Sequence, residues 1–406
     1  MTVELQQEPL REPTAVAAKP VVPRRRNRER LHALDGLRGI AAFIVVLHHV
    51  SLIAEPVSQP PGELVPWSAW WWFERTPLKL LTAGHEAVIV FFVLSGVVVV
   101  LPALKRLDFS WPGLIASRVV RLLLPAWAAI VFATILLLVV PRVPEQVTGD
   151  TWLARQVQSD WSWDRLVGEF SLMIGSVPYN NVLWTLRWEL LFSLLLPGFL
   201  VVAVVLRHWW LPTGLLAVGI GVAGTVGDIE AMQYLPVFFL GTLIAVRLRA
   251  LEGWSDSRGA RRLLAVVLPV SLLVLISQFL LQGVVPEGSD GAHALRGLEA
   301  LGGVGVVVCA GAATGFRRFL ERRVPQFLGR ISFSLYLVHL PVLATITWLL
   351  GDWNWPIAGL IGVPLAVLAG WGFFRVVEKP LHGVARSAKR GAAHAVERYV
   401  RASRVG

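Results

Sequence analysis

The chain has 406 residues, of which 55% are hydrophobic and only 16% are charged, and its mean hydropathy is +0.61. This composition excludes a set of soluble domains, because several apolar runs approach the ~20 residues that cross a bilayer core. The net charge of +11 is attributed to basic cytoplasmic loops facing anionic lipid, and no nucleic-acid partner is expected. The single cysteine, Cys309, excludes an intrachain disulfide and a CxxC metal site, and no metal is expected.

Hydropathy predicts an all-α polytopic membrane protein with about ten transmembrane helices in one bundle. The apolar segments are continuous rather than alternating, which argues against a closed barrel. The predicted spans lie near 34–54, 86–104, 119–140, 184–206, 211–228, 232–250, 263–283, 296–315, 329–350 and 355–377.

The chain is predicted to have three regions. Residues 1–33 read as a disordered cytosolic tail, 34–382 as the transmembrane domain, and 383–406 as a basic cytosolic tail. Basic residues concentrate in alternate short loops, which the positive-inside rule assigns to the cytosol. We therefore expect a multi-pass protein of the cytoplasmic (inner) membrane with both termini in the cytosol.

The first span carries an arginine and a histidine in a fixed relation. His49 follows Arg38 by eleven residues. On a helix this step is a rotation only ~20° beyond three full turns and a rise of about 16 Å. Both side chains therefore share one face, and ionisable groups at such depth usually face a protein interior or a wet cavity. The alternative is that Arg38 anchors the helix at the interface and His49 is a satisfied polar residue.

The fourth span begins with Arg187 and Glu189, which are predicted to lie in the outer half of the membrane near the depth of His49. A carboxylate within reach of a neutral imidazole fixes its tautomer and raises its basicity, as a general base requires. Glu189 is therefore a candidate for orienting His49. The alternative is an interfacial ion pair between Arg187 and Glu189.

Three arginines are predicted at the cytosolic end of the bundle. Arg118 and Arg121 share a face of the third span at i, i+3 spacing, and Arg38 lies at the same level on the first span. Guanidinium groups match phosphate oxygens in a bidentate manner, so three of them suit a multiply phosphorylated ligand. Anchoring to lipid headgroups is the alternative.

Four further polar residues lie in or beside predicted spans. Ser95 is in the second span, Tyr336 and His339 are one turn apart in the ninth, and Glu378 follows the tenth. A core histidine bonded to a neighbouring helix explains His339 as well as a catalytic role does. Glu378 either pairs with Arg375 at i+3 spacing or organises the arginines.

The two long outer connections, 55–80 and 141–183, are rich in tryptophan. An aromatic belt at the membrane interface is the favoured interpretation, and a platform for a sugar or lipid-linked acceptor is the sharper alternative. The residues concerned are Trp67, Trp70, Trp71, Trp72, Trp152, Trp161 and Trp163.

These motifs together resemble the acyltransferase-3 family of integral membrane acyltransferases. LDGLRGIAAFIVVLHHV at 34–50 is similar to the family's first-helix signature, which selects His49 rather than His48. Later family motifs occur in the same order, over roughly 34–382. They are FFVLSG at 91–96, the basic stretch at 118–125, WTLRWELLFSLLLP at 184–197, GRISFSLYLVHLPVL at 329–343 and EKP at 378–380. The third-span motif is often Arg-x-Arg in the family, and here it is Arg118-x-x-Arg121.

The resemblance implies ten spans and transfer of an acyl group, often acetyl, from coenzyme A to a hydroxyl of a carbohydrate or glycolipid acceptor. His49 would then be the general base, with Arg38 and Glu189 completing the catalytic group. Substrate-binding residues would be Ser95, Arg118, Arg121, Tyr336, His339 and Glu378. The expected partners are acyl-CoA, membrane lipid and a carbohydrate or lipid-linked sugar. The rival function is that of a transporter or flippase for a glycan or lipid-linked sugar.

Overall fold

A computed structural model describes residues 24–58, 67–105, 109–140, 142–148, 151–156, 162–172, 179–254 and 257–403. These residues form helices and connecting turns without strands, which confirms the predicted all-α class. The α-helices are α1 Arg24–Ser58, α2 Ala69–Arg75, α3 Gly84–Lys105, α4 Trp111–Val139, α5 Trp152–Gln156, α6 Trp163–Ser171, α7 Trp184–Val205, α8 Trp210–Val226, α9 Glu230–Trp254, α10 Arg258–Leu275, α11 Ser277–Leu280, α12 Asp290–Ala312, α13 Thr314–Leu320, α14 Arg323–Leu350, α15 Trp355–Phe373 and α16 Lys379–Ala402.

Within the described residues, nine helical stretches are long and apolar enough to cross a membrane. They are His32–Ala54, Gly84–Leu104, Trp111–Val139, Asn181–Val205, Arg207–Val226, Glu230–Leu248, Asp290–Ala312, Arg323–Leu350 and Asp352–Val396. The span predicted at 263–283 corresponds to α10 and α11. It is not among the nine, because α10 has only 18 residues and three of its first five are arginines.

The structure describes part of each predicted tail. The first helix begins at Arg24, ahead of the predicted boundary at 34, and the rest of the amino-terminal tail lies outside the described residues. The carboxyl-terminal segment is helical as α16, which packs along α4. Between α15 and α16, residues Phe374–Glu378 form a π-helical turn. Its end brings the Glu378 carboxylate to the Ser334 hydroxyl, which donates to it over 2.5 Å.

The central pair of helices, α1 and α14, run side by side in the same direction. Their backbones touch where Gly39 meets Gly329, because a Cβ on Gly39 would lie 2.3 Å from the Gly329 nitrogen. A Cβ on Gly329 would lie 2.2 Å from the carbonyl oxygen of Asp35. Small residues allow this close approach, which is a common device in membrane bundles. The glycines of the first and ninth motifs therefore set the crossing of these two helices.

A second close crossing joins α3 to α9. A Cβ on Gly96 would lie 2.2 Å from the Phe238 carbonyl oxygen, and one on Gly241 would lie 2.1 Å from the Val93 oxygen. Above this contact, the ring of Phe238 stacks between Phe92 and Phe192, with centroids 4.4 and 4.6 Å apart. These rings tie α7 to the same core.

The short helix α6 holds a buried carboxylate outside the membrane-spanning segments. Glu169 is fully buried, and its Oε2 accepts a hydrogen bond of 3.0 Å from the Tyr179 backbone N–H. Its Oε1 has no hydrogen-bond partner in the part of the chain that the structure describes. Burial raises the pKa of Glu169 from 4.5 to about 7, because desolvation penalises the charged form more than backbone hydrogen bonds stabilise it.

Candidate active site

A cavity of about 400 Å³ lies between α1, α3, α4, α7 and α14 and is bounded by the π-helical turn and the start of α16. We call it the arginine cavity. Seven of the nine predicted site residues line it, namely Arg38, Ser95, Arg118, Arg121, Glu189, Tyr336 and Glu378. The other two, His49 and His339, are buried and are not among the residues that line it.

The three predicted arginines of the cavity differ in their contacts. The Nε of Arg118 donates to the Ser193 hydroxyl over 2.7 Å, and its Nη2 lies 3.6 Å from Glu189 Oε2. Arg38 and Arg121 form neither a hydrogen bond nor an ion pair with the residues that the structure describes. Of the predicted arginines, Arg118 is therefore held in place, and the guanidinium groups of Arg38 and Arg121 keep their hydrogen-bond donors for a ligand.

The expected role of Glu189 beside His49 is not what the structure shows. Glu189 faces Arg118 in the arginine cavity, and among the described residues no hydrogen bond joins it to His49. Arg187 does not pair with Glu189 either, since its guanidinium binds Glu230 at the start of α9. The fourth-span charges thus belong to two separate ion pairs.

Glu378 is a buried acid at the mouth of the cavity. Besides accepting from Ser334, its Oε1 lies 3.5 Å from the Nε2 of His382. Arg375 was one of the two predicted partners of Glu378. Its guanidinium stacks on Trp371 instead, with the guanidinium carbon 4.9 Å from the ring centroid. Glu378 therefore joins α14 to α16 and shares the cavity wall with the arginines.

His49 and His339 form a buried pair between α1 and α14. His339 Nδ1 lies 3.0 Å from the Leu335 carbonyl and 2.8 Å from the Tyr336 carbonyl, so this nitrogen carries the proton. His339 Nε2 is then an acceptor, 3.2 Å from His49 Nδ1. His49 Nδ1 also lies 2.8 Å from the Val45 carbonyl, which only an N–H can satisfy.

This pattern assigns the tautomer of His49. Its proton is on Nδ1, shared between the Val45 carbonyl and His339, and its lone pair is on Nε2. A neutral imidazole held in this way is suited to accept a proton at Nε2. Sequence analysis proposed a carboxylate as the hydrogen-bond acceptor for His49. A backbone carbonyl and a second histidine are its acceptors instead.

Tyr336 separates the histidine pair from the cavity. Its hydroxyl donates to the Val182 carbonyl over 2.8 Å and lies 2.9 Å from the Thr185 hydroxyl. Its ring lines the cavity and is 5.9 Å from the His339 ring, with Phe91 beside it at 6.2 Å. The cavity thus ends within one helical turn of the histidines.

On its other sides, His49 contacts two aromatic rings. The Trp152 ring on α5 lies 5.3 Å from the His49 ring, and the His48 ring lies at the same distance. Trp152 is therefore not only a residue of an aromatic belt. Trp161 lies outside the described residues.

Sequence reasoning missed Arg330 and His382 as residues that line the cavity. Arg330 follows Gly329, where α14 crosses α1, and so lies at the same end of the bundle as Arg38. The basic residue of the GRIS motif is the sequence feature that could have indicated it. His382 comes from the first turn of α16, past the end of the last predicted span at 377. The contact of Trp152 with His49 was not predicted, because an outer loop gives no helical register from which to infer a neighbour.

Comparison with known proteins identifies the class. A family model described as an acyltransferase domain, Acyl_transf_3, matches residues 31–375. The O-acetyltransferase PaAT-1 of Phomopsis amygdali is 27% identical over 392 aligned residues, which cover 80% of this chain and 75% of that protein. No solved structure matches the chain.

The chain therefore belongs to this acyltransferase family, as the motifs predicted. It is an integral membrane acyltransferase, and the predicted enzyme class is confirmed. The rival function of a transporter or flippase gains no support from the family match.

Proposed function

We propose that this protein transfers an acyl group, acetyl in the simplest case, from acyl-CoA to a hydroxyl of a carbohydrate or glycolipid acceptor. The observation that carries the proposal is the arginine cavity, which begins among guanidinium groups and ends one turn from the His49–His339 pair. A relative that is an O-acetyltransferase supports transfer to oxygen.

The donor fits the charged end of the cavity. Coenzyme A carries several phosphates, and the uncommitted guanidinium groups of Arg38 and Arg121 are suited to bind them. Arg38 is about 16 Å of helix below His49, so its role is to bind phosphate rather than to stabilise the reacting carbonyl. Arg118 forms the rest of this surface, held by Ser193 and Glu189.

The thioester arm would extend up the cavity, past Ser95, towards Tyr336 and Phe91. Reaching His49 requires the Tyr336 and Phe91 side chains to turn aside, since they close the cavity there. The acyl carbon would then lie between the arginine cavity and the histidine pair.

The chemical step uses the lone pair of His49 Nε2. This nitrogen takes the proton of the acceptor hydroxyl as its oxygen attacks the thioester carbonyl, and the carbon–sulfur bond breaks as the tetrahedral intermediate collapses. The proton passes from His49 to the departing thiolate, so the products are the ester and free coenzyme A. His339 holds the imidazole through Nδ1 during both transfers.

The acceptor would approach from the side of Trp152. Its ring contacts His49 and is half-buried, so a sugar ring stacked against it would place a hydroxyl beside the general base. This assignment favours the platform interpretation for Trp152 alone. The remaining tryptophans retain the belt interpretation.

The orientation follows from the donor. Acyl-CoA is cytosolic, so the arginine cavity would open to the cytosol, with both termini on that side of the inner membrane. The positive-inside distribution of loop charge supports the same orientation.

The test is transfer by the purified protein in vesicles. Acetyl-CoA labelled in its acetyl group is supplied with a panel of glycans and lipid-linked sugars, and labelled ester is identified by mass. We expect His49→Ala to lower kcat by ~10²–10⁴-fold, with His208→Ala, at an exposed histidine, as the control that retains activity. Full activity in folded His49→Ala protein would refute general-base catalysis by His49. Movement of an acceptor across the membrane without esterification would favour the transporter or flippase.

A second measurement tests the donor site. Arg121→Ala should raise the KM for acetyl-CoA about tenfold, the cost of one charged hydrogen bond, and leave the KM for the acceptor nearly unchanged. Arg187→Ala is the control, because Arg187 pairs with Glu230 away from the cavity. An effect confined to the acceptor KM would place the donor elsewhere.

A further inference from the structure

A second polar cluster lies outside the proposed reaction, where α3 begins beside α12. It consists of His85 and Glu86 on α3 and Glu299 on α12. One ligand atom from each residue lies within 4.8 Å of the other two. The two carboxylates are almost completely buried, Glu86 being 2% exposed and Glu299 0%.

The hydrogen bonds in this cluster leave atoms without partners. His85 Nδ1 lies 3.1 Å from Glu299 Oε2, and the Gln278 amide donates to Glu86 Oε1 over 3.3 Å. The second oxygen of Glu299 and the Nε2 of His85 are both buried and find no hydrogen-bond partner among the described residues. Buried polar atoms are almost always bonded, so a group of unbonded ones needs an explanation.

Nearby positive charge does not neutralise the cluster. Arg296 is one turn before Glu299 on α12 and acts on it electrostatically, yet it forms no ion pair with the cluster in the described part of the chain. Lys79 is paired with Glu74 at 2.5 Å. Two carboxylates buried side by side are costly to ionise, and a cation bound between them would offset that cost.

We propose that His85, Glu86 and Glu299 bind one divalent transition-metal ion, with Zn²⁺ as the representative. One imidazole nitrogen and two carboxylate oxygens are donors that such ions accept, whereas Mg²⁺ and Ca²⁺ prefer oxygen alone. The ion would lie between His85 Nδ1 and the Glu299 carboxylate, in place of the hydrogen bond that joins them, and would be a partner for the second oxygen of Glu299. The three donors leave a coordination position open to Gln278 or water.

The ion would join two distant segments of the chain near the active site. His85 and Glu299 are 214 residues apart. The residue before His85, Gly84, packs on the ring of His48, whose Nδ1 donates to the Thr82 carbonyl over 2.9 Å. The metal would therefore fix the start of α3 against α12 and, through His48, support the helix turn that carries His49.

The experiment measures bound metal directly and does not depend on activity. The full chain is purified in detergent through a tag free of histidine, stripped with chelator, dialysed against Zn²⁺ and then against buffer, and analysed for metal per chain. We expect close to one ion in the wild type, and little in His85→Ala or Glu299→Gln. His293→Ala, on the same helix as Glu299, and Glu169→Gln, another buried acid, should keep the ion.

A second readout separates metal loss from misfolding. Zn²⁺ should raise the melting temperature of the wild type and of His293→Ala, but not that of His85→Ala. If Glu299→Gln does not fold, Glu86→Gln replaces it. Wild-type protein that retains no Zn²⁺ would show that the carboxylates share only a proton. That result, or equal retention by His85→Ala, would overturn the proposal.

Discussion

The buried carboxylate of Glu169 makes stability depend on pH in a direction opposite to that of most acidic side chains. Its pKa is raised from 4.5 to about 7 in the folded chain. Below pH 4.5 both folded and unfolded chains hold the proton, and no penalty arises. As pH rises towards 7, the unfolded chain releases the proton while the folded chain keeps it, so the folded state loses stability over this window.

The magnitude follows from the same values. A rise from 4.5 to about 7 corresponds to a destabilisation of about 3 kcal/mol above pH 7, at ~1.4 kcal/mol per pH unit. Glu169→Gln removes the ionisation and keeps an oxygen to accept from the Tyr179 N–H. The variant should therefore be more stable than the wild type at pH 8, and nearly equal to it at pH 4.5.

The assay is thermal unfolding of purified protein in detergent at these two pH values. Asp164→Asn is the control, because Asp164 is an exposed acid on the same helix and should show no such pH-dependent gain. If Glu169→Gln were less stable than the wild type at pH 8 by as much as at pH 4.5, the folded state would require the carboxylate in its ionised form. The desolvation argument would then be wrong.

Three further substitutions test other parts of the structure. Gly39→Leu should destabilise the bundle by ~3 kcal/mol or more, because its Cβ would meet backbone atoms of α14. The control Gly219→Leu meets open space and should be tolerated, so equal melting temperatures of the two variants would contradict the glycine crossing. His339→Ala should lower kcat about tenfold, because it removes one hydrogen-bond acceptor from His49 Nδ1, and should leave the KM for acetyl-CoA unchanged. An unaltered kcat would exclude this positioning role of His339. Trp152→Ala should raise the acceptor KM more than Trp152→Phe does, and a selective rise in donor KM would refute the platform.

Helical geometry allowed much of the candidate site to be predicted. Arg38 and His49 lie on one helix, so their common face and separation follow from the fixed rise and rotation per residue. Arg118 and Arg121 are likewise related by a single turn of α4. Each of these inferences stays within one rigid element, and the structure places all three arginines on one cavity.

Pairings between helices were beyond the same reasoning. Periodicity gives the face and depth of Glu189 but not which neighbour that face meets, and α7 turns it towards Arg118 instead of His49. The contact of His49 with His339 depends on how α1 and α14 cross, which hydropathy does not report. The His85–Glu299 contact spans 214 residues, so neither local motif could suggest it.

The glycine contact between α1 and α14 also fixes the position of one helix along the other. His49 comes ten residues after Gly39, and His339 comes ten residues after Gly329. Equal lengths of parallel helix therefore bring the two imidazoles to one level, however the loops between them vary. Inserting a single residue into either stretch would rotate its histidine by ~100° and separate the rings, so the chain tolerates changes of side chain here far better than changes of length.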